Sequence, residues 1–179
     1  LKIGLVGGSF NPAHSGHIHV ALKARQQLGL DQIWWLVSPQ NPLKSSLGMA
    51  PHEKRLADAR KIANPYPFLR VIAPESGLPS NYTYNTLKYI IKTMPLSRLI
   101  WVMGADNLDH FARWYRYRDM IRLLPIAVVD RPGYSFKAIT MGQQLLGRRT
   151  KVTKMRYAIV TGTVNLPTWC FIAGQLNAA

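Results

Sequence analysis

Apolar runs that read as strands alternate with segments of helical spacing, at roughly the 30-residue interval of a strand–helix–strand unit. The first strand breaks into Gly7-Gly8 just before a helix, and no internal repeat, low-complexity tract or linker interrupts the alternation. These observations predict an α/β chain: a doubly wound parallel sheet with helices on both faces and right-handed crossovers, Rossmann-like in connectivity.

The elements follow in order. Lys2 to Val6 is an apolar strand that ends at Gly7-Gly8. His17 to Leu28 carries Ile18, Ala21, Leu22 and Leu28 at helical spacing, and Gly29 stops it. Gln32 to Ser38 is a second strand, and Pro39 to Pro51 a loop rich in Pro, Ser, Asn and Gly. Pro51 to Ala63 reads as a helix with proline at its start and Asn64-Pro65 beyond its end. Leu69 to Ala73 is a third strand, Tyr84 to Met94 a helix closed by Pro95, and Arg98 to Met103 a fourth strand. Gly104 opens a loop and helix. Ile126 to Val129 is a fifth strand, stopped by Asp130-Arg131-Pro132-Gly133, and Ser135 to Gly147 a weaker helix. Gly147 to Lys154 reads as a basic loop, and Ala158 to Val164 and Thr168 to Ala173 as strands. In such sheets ligands bind beyond the carboxyl ends of the strands, where the strand order reverses. The loops after strands one, two and four are therefore the first places to seek a site.

The 179 residues suit one domain and can bury a core without disulfides. With 47% hydrophobic and 17% charged residues the chain is not disordered, and no apolar run approaches the ~18 residues of a membrane span. The N-terminus lacks the pattern of a signal peptide. A lone cysteine, Cys170, excludes an internal disulfide and points to a reducing compartment, and packing explains it better than chemistry. Lys plus Arg number 23 against 8 Asp plus Glu, a formal net charge of +15. That balance favours anionic partners, although most of it reads as a solvated surface.

The strongest chemical signal is Gly7 to His17, GGSFNPAHSGH, between the first strand and the first helix. Its glycines let backbone approach a phosphate, and a helix N-terminus offers unpaired N–H groups to an anion. His14 and His17 at that mouth can donate hydrogen bonds to a phosphoryl group as charge builds on it. No His, Cys and Asp cluster has zinc spacing.

His14-Ser15-Gly16-His17 resembles the H-x-G-H signature of the nucleotidylyltransferase superfamily, and the wider string resembles the opening of nicotinate-nucleotide adenylyltransferases. Trp34 to Lys44, Tyr82 to Leu87, Gly104 to Trp114 and Asp130 to Tyr134 follow in that family's order and spacing. The resemblance covers Lys2 to Gly174 and is closest to the alphaproteobacterial type.

The resemblance implies transfer of the adenylyl group of ATP to nicotinate mononucleotide, giving deamido-NAD and pyrophosphate by in-line attack at the α-phosphorus. It implies catalytic roles for His14, His17 and Lys44. ATP would meet Gly7, Gly8, Ser9, Phe10, Gly16, Gly104, Asp106 and Arg131. Asp106 would accept ribose hydroxyls, unless it caps the following helix. Nicotinate mononucleotide would meet Thr83, Thr86, Trp114 and Tyr115. Competing roles are a helix cap for either threonine, a hydrophobic helix face for the aromatic pair and an exposed position for Lys44. Arg55, beside Lys54, either faces phosphate or sits on a solvated face. Mg2+ is expected to arrive with ATP, held by phosphate oxygens and water rather than by a protein metal site.

The partners expected are thus ATP and nicotinate mononucleotide in the cytoplasm, with no membrane; a homo-oligomer is compatible with the sequence. The resemblance further implies one nucleotidylyltransferase domain over residues 1–179. The family's Ser/Thr-rich C-terminal phosphate segment would begin where the sequence stops, and truncation is the expectation. Three alternatives stay open: another adenylyltransferase of the superfamily, a non-catalytic nucleotide-binding relative and, ranked behind both, a basic nucleic-acid-binding module.

Overall fold

The computed structural model describes residues 1–39, 47–73 and 82–174. Among them run seven strands: β1 (Lys2–Gly8), β2 (Gln32–Val37), β3 (Leu69–Ile72), β4 (Arg98–Gly104), β5 (Ile126–Val129), β6 (Arg148–Arg149) and β7 (Thr168–Ile172). The helices are α1 (Ser15–Leu28), α2 (His52–Ala63), α3 (Thr83–Thr93), α4 (Leu108–Phe111), α5 (Tyr117–Met120), α6 (Ser135–Leu145) and α7 (Val152–Thr161). The strands form one sheet in the order β3-β2-β1-β4-β5-β7-β6, and every pairing is parallel. The order reverses between β1 and β4, which pair with Leu5 opposite Trp101.

The period-two alternation of the strands divides the interior into two cores. Ile33, Trp35 and Val37 of β2, Ile100 and Val102 of β4, Ala127 and Val129 of β5 and Cys170 of β7 face α1, α2 and α7. Ile3 and Leu5 of β1, Trp101 and Met103 of β4, Ile126 and Val128 of β5 and Trp169 of β7 face α3, α4, α5 and α6. Both faces of the sheet are therefore covered, as the doubly wound prediction requires.

Trp35, Trp101 and Trp169 are the largest fully buried side chains. Their indole N–H groups find no hydrogen-bond partner among the described residues, so their contribution is packing area. Two glycines make room for them. A Cβ at Gly7 would collide with the Trp101 ring, and one at Gly142 with the Trp169 ring.

The sequence prediction fails at two neighbouring segments. Ala158 to Val164, read as a strand from its β-branched run, is the end of helix α7 and the turn after it. Met155 and Ile159, four apart, are buried on one face of α7, and Gly162 ends the helix in the left-handed conformation (φ 74°). Helical spacing outweighs β-propensity because that face packs on the first core beside Val152 and Val164. The basic loop predicted for Gly147 to Lys154 instead holds the two-residue edge strand β6 and the start of α7.

Candidate active site

A cleft of about 220 Å³ opens beyond the carboxyl ends of β1 and β4, where the strand order reverses. It is lined by the β1–α1 loop, the first turn of α1, the turn after β4 and Arg131 after β5.

The two histidines are built into the helix mouth. His14 is the N-cap of α1, with extended backbone (φ −150°, ψ 174°). Its Nδ1 accepts the Gly16 N–H at 3.1 Å, and the His17 Nδ1 accepts the His14 N–H at 3.2 Å. This is the reciprocal geometry of a capping box, made by two imidazoles in place of a hydroxyl and a carboxylate. With each Nδ1 accepting, each neutral ring carries its proton on Nε2. The rings lie 4.0 Å apart between centroids. Burial pushes the His17 pKa down from 6.5 to about 4, with the neighbouring charges of His14 and Arg131 adding to the effect and Asp106 opposing it. His17 is therefore a neutral Nε2–H donor at pH 7.

Phe10 sets the floor beneath His17. Its ring centroid lies 4.7 Å from that of His17 and 5.0 Å from that of Trp35, and it is fully buried. Its backbone sits at φ 47°, in the left-handed region that a bulky residue seldom adopts. Phe10 thus lines the cleft from below, and Gly8 and Ser9 line the loop above it.

Arg131 enters between the mouth of α1 and the end of β4. Its Nε donates to Asp106 Oδ1 at 3.2 Å. Gly16 and Gly104 leave the space for it: a Cβ at Gly16 would strike Arg131 Nη1 and the His14 ring, and one at Gly104 would come within 2.6 Å of Asp106 Oδ1. Asp106 lies in a single 3₁₀ turn (Ala105–Asn107) whose N-cap is Gly104, and it caps neither that turn nor α4. Its carboxylate pairs with Arg131 and faces the cleft.

The second group of expected residues lies apart from this cleft. Tyr115 stacks on Tyr82 at the start of α3, with centroids 4.4 Å apart, and meets Tyr84 edge-on at 6.3 Å. Trp114 packs edge-on against Trp101 at 6.1 Å and against Phe111 at 5.3 Å. Because the Trp101 ring also lies under Gly7, this aromatic group reaches the cleft floor through one shared side chain. Thr83 is the first residue of α3. The N-cap is Tyr82 and makes no side-chain cap bond, so the helix-cap role considered for the threonines is not realised. Thr86 is buried, and its hydroxyl donates to the Tyr82 carbonyl at 3.4 Å. Lys44 lies outside the described residues.

Cys170 is fully buried on β7, and burial pushes its thiol up to about 12, which fits packing rather than chemistry. Arg55 does neither of the things expected of it. It is fully buried in α2, and its guanidinium is spent on backbone carbonyls of the surrounding loops. No periodicity signalled this, because the burial is created by loops folding over the helix start.

Among the described residues no group of three His, Cys, Asp or Glu side chains is placed to hold a metal ion, and no helix is long and apolar enough to cross a membrane.

Known proteins share this architecture and sequence. Residues 5–168 match the cytidylyltransferase-like family. A protein of Methylorubrum extorquens named "Probable nicotinate-nucleotide adenylyltransferase" is 40% identical over 99% of this chain and 95% of its own length. One of the same name from Parvibaculum lavamentivorans is 51% identical over 77% of this chain and 68% of its own. The fold is like that of Plasmodium falciparum nicotinic acid mononucleotide adenylyltransferase complexed with NaAD, with a TM-score of 0.71 at 16% identity, covering 96% of this chain and 74% of that one. On these similarities the chain belongs to the cytidylyltransferase-like family and, within it, to the nicotinate-nucleotide adenylyltransferases.

Proposed function

We propose that this chain is an enzyme that transfers the adenylyl group of ATP to nicotinate mononucleotide, releasing pyrophosphate and forming deamido-NAD. The observation that carries the reading is the pair of imidazoles whose Nδ1 atoms are tied to backbone, leaving two Nε2–H donors at a helix mouth beside Arg131. Such fixed donors stabilise charge that develops on a phosphoryl group without having to reorganise.

A phosphate oxygen of nicotinate mononucleotide attacks the α-phosphorus in line. The bond from that phosphorus to the bridging oxygen of the β-phosphate breaks, and that oxygen keeps the electron pair as pyrophosphate leaves. No protein nucleophile takes part. The chain positions both reactants and stabilises charge on the non-bridging oxygens. His14 and His17 donate from Nε2, and Arg131 and the α1 N-terminus supply positive potential. Gly7, Gly8, Ser9, Gly16 and Gly104 keep the walls low enough for the nucleotide to approach backbone. Asp106 accepts ribose hydroxyls with the carboxylate oxygen that Arg131 leaves free. Phe10 acts from below by holding His17.

Thr83, Thr86, Trp114 and Tyr115 would receive the pyridine half, and Lys44 the phosphates. Support for the former is the aromatic group that joins the start of α3 to the segment after α4 and abuts the cleft through Trp101. Mg2+ would enter on the ATP phosphates, held by phosphate oxygens and water; among the described residues the cleft lining offers a single carboxylate, Asp106, which pairs with Arg131. The reading further treats residues 1–179 as one nucleotidylyltransferase domain, supported by the single continuous sheet, and places it in the cytoplasm with its phosphorylated substrates.

The test is pyrophosphate release with Mg-ATP and either nicotinate or nicotinamide mononucleotide. Release at least tenfold faster with nicotinate mononucleotide is expected. Equal rates would overturn the substrate assignment, and no release with either would overturn the transferase reading.

A further inference from the structure

Arg55 is a buried cation without a carboxylate partner among the described residues. Its side chain reaches out of α2 and closes on backbone carbonyls from three segments. Nε donates to Ala50 O at 2.9 Å, just before α2. Nη1 donates to Ser9 O at 2.5 Å, in the β1–α1 loop, and to Ser38 O at 2.7 Å, just after β2. Nη2 donates to Pro39 O. Only a guanidinium spans such a set: it has five N–H groups in a planar fork, whereas a lysine offers three donors from one point.

The same loop is tied a second time. Asn11 Oδ1 accepts the Ala50 N–H at 3.1 Å, and Asn11 Nδ2 donates to Gly48 O at 3.4 Å. Residues 9 and 11 are thus fixed on either side of Phe10, whose left-handed backbone aims its ring under His17. Burying a charge against neutral dipoles is expensive compared with an apolar side chain of similar volume. A core that needed only filling would have no use for it.

We propose that Arg55 is a positioning residue: by clamping the Ser9 carbonyl to the segment after β2, it fixes Phe10 and thereby sets the His17 imidazole against the transferred phosphate. The proposal rests on the adenylyltransferase reading, and one of its readouts does not. Arg55 touches no substrate and acts through two intermediaries. Its loss therefore degrades the chemical step more than it degrades nucleotide binding.

The experiment compares the wild-type chain with Arg55→Lys, Arg55→Ala and Asn11→Ala. Measured for each are the melting temperature, kcat and KM for ATP, and the His17 titration midpoint by NMR. Arg55→Lys is expected to fold, to lose about tenfold or more in kcat, the order of a misplaced catalytic group, and to change KM by less than about threefold. Its His17 midpoint is expected to move up from about 4 as the ring loosens. Guanidinium ion at millimolar concentration should restore part of the kcat of Arg55→Ala. Asn11→Ala, which leaves the buried clamp intact, should move kcat and midpoint in the same direction by less.

A lower melting temperature with unchanged kcat and an unchanged His17 midpoint would overturn the proposal and leave Arg55 a structural residue. If Arg55→Ala does not fold, Arg55→Lys and Asn11→Ala still decide. If the wild-type chain itself releases no pyrophosphate, the function reading has failed, and the His17 midpoint still reports whether the clamp positions the ring.

Discussion

His14 and His17 cap α1 through each other: the His14 ring takes the Gly16 N–H, and the His17 ring takes the N–H of His14 itself. A helix mouth is usually capped by a side-chain oxygen that has no further task. Here the capping atoms are the Nδ1 nitrogens, and the cap leaves each neutral ring its proton on Nε2 while both residues line the cleft. Folding and chemistry thus use opposite edges of the same two rings.

Replacing His17 with alanine removes a transition-state donor and one capping bond together. Turnover is expected to fall by about 100-fold or more, the scale of a lost oxyanion-type donor, while stability falls by only about 1 kcal/mol. Steady-state kinetics and thermal unfolding of the same variant check both. Near-normal turnover in a folded variant would remove His17 from the mechanism.

The depressed His17 pKa gives a pH prediction with a definite sign. In the unfolded chain the imidazole titrates near 6.5, and in the folded protein near 4. Between those values the unfolded state binds a proton that the folded state refuses. The contribution to stability is therefore complete above pH 6.5 and declines as pH falls toward 4. NMR titration of the His17 ring should show a midpoint near 4. The activity profile should carry no limb at pH 6.5 from this residue.

Much of the fold was legible, and the reasons divide cleanly. Buried strands and glycine-terminated loops announce a doubly wound sheet, since few other patterns cover both faces of a parallel sheet. The phosphate loop was legible because its glycines, its histidines and the strand before it occupy neighbouring positions. Helix α7 was misread because Ala158 to Val164 has local strand character, and only Met155 and Ile159 together reveal the helical face. The Arg55 clamp and the Arg131–Asp106 pair were not legible at all. Arg131 is 25 residues from Asp106 and Arg55 is 46 from Ser9, and even its nearer carbonyl partners lie on irregular loop backbone, so no local pattern encodes these contacts.

Asp106 and Arg131 act on the cleft as opposed charges, and His17 reports on both. Arg131→Met removes a charge that lowers the His17 pKa, so the midpoint should rise. Asp106→Asn removes one that raises it, so the midpoint should fall. Each variant should also weaken ATP binding, by roughly tenfold for the loss of one charged hydrogen-bonding group. Because the two side chains are in contact, the double variant should fall short of the product of the single effects. Additive losses would mean that the pair is not coupled.

Gly16 and Gly142 separate activity from stability. Each is closed to a Cβ, but by different neighbours. At Gly16 the obstruction is Arg131 Nη1, the far end of a flexible side chain, together with the His14 ring. Gly16→Ala can therefore be accommodated by moving the groups that line the cleft. It should keep nearly its full melting temperature and lose roughly 10- to 100-fold in kcat/KM, as expected when catalytic groups shift by about an ångström. At Gly142 the obstruction is the Trp169 ring, buried between α6 and the sheet with no room to move. Gly142→Ala should lose about 1–3 kcal/mol from overpacking, or about 2–4 °C in Tm for each kcal/mol in a chain of this size. The protein that remains folded should turn over at the wild-type rate. The reverse pattern, a stable but inactive Gly142→Ala, would place α6 in the catalytic machinery and contradict the position of the cleft beyond β1 and β4.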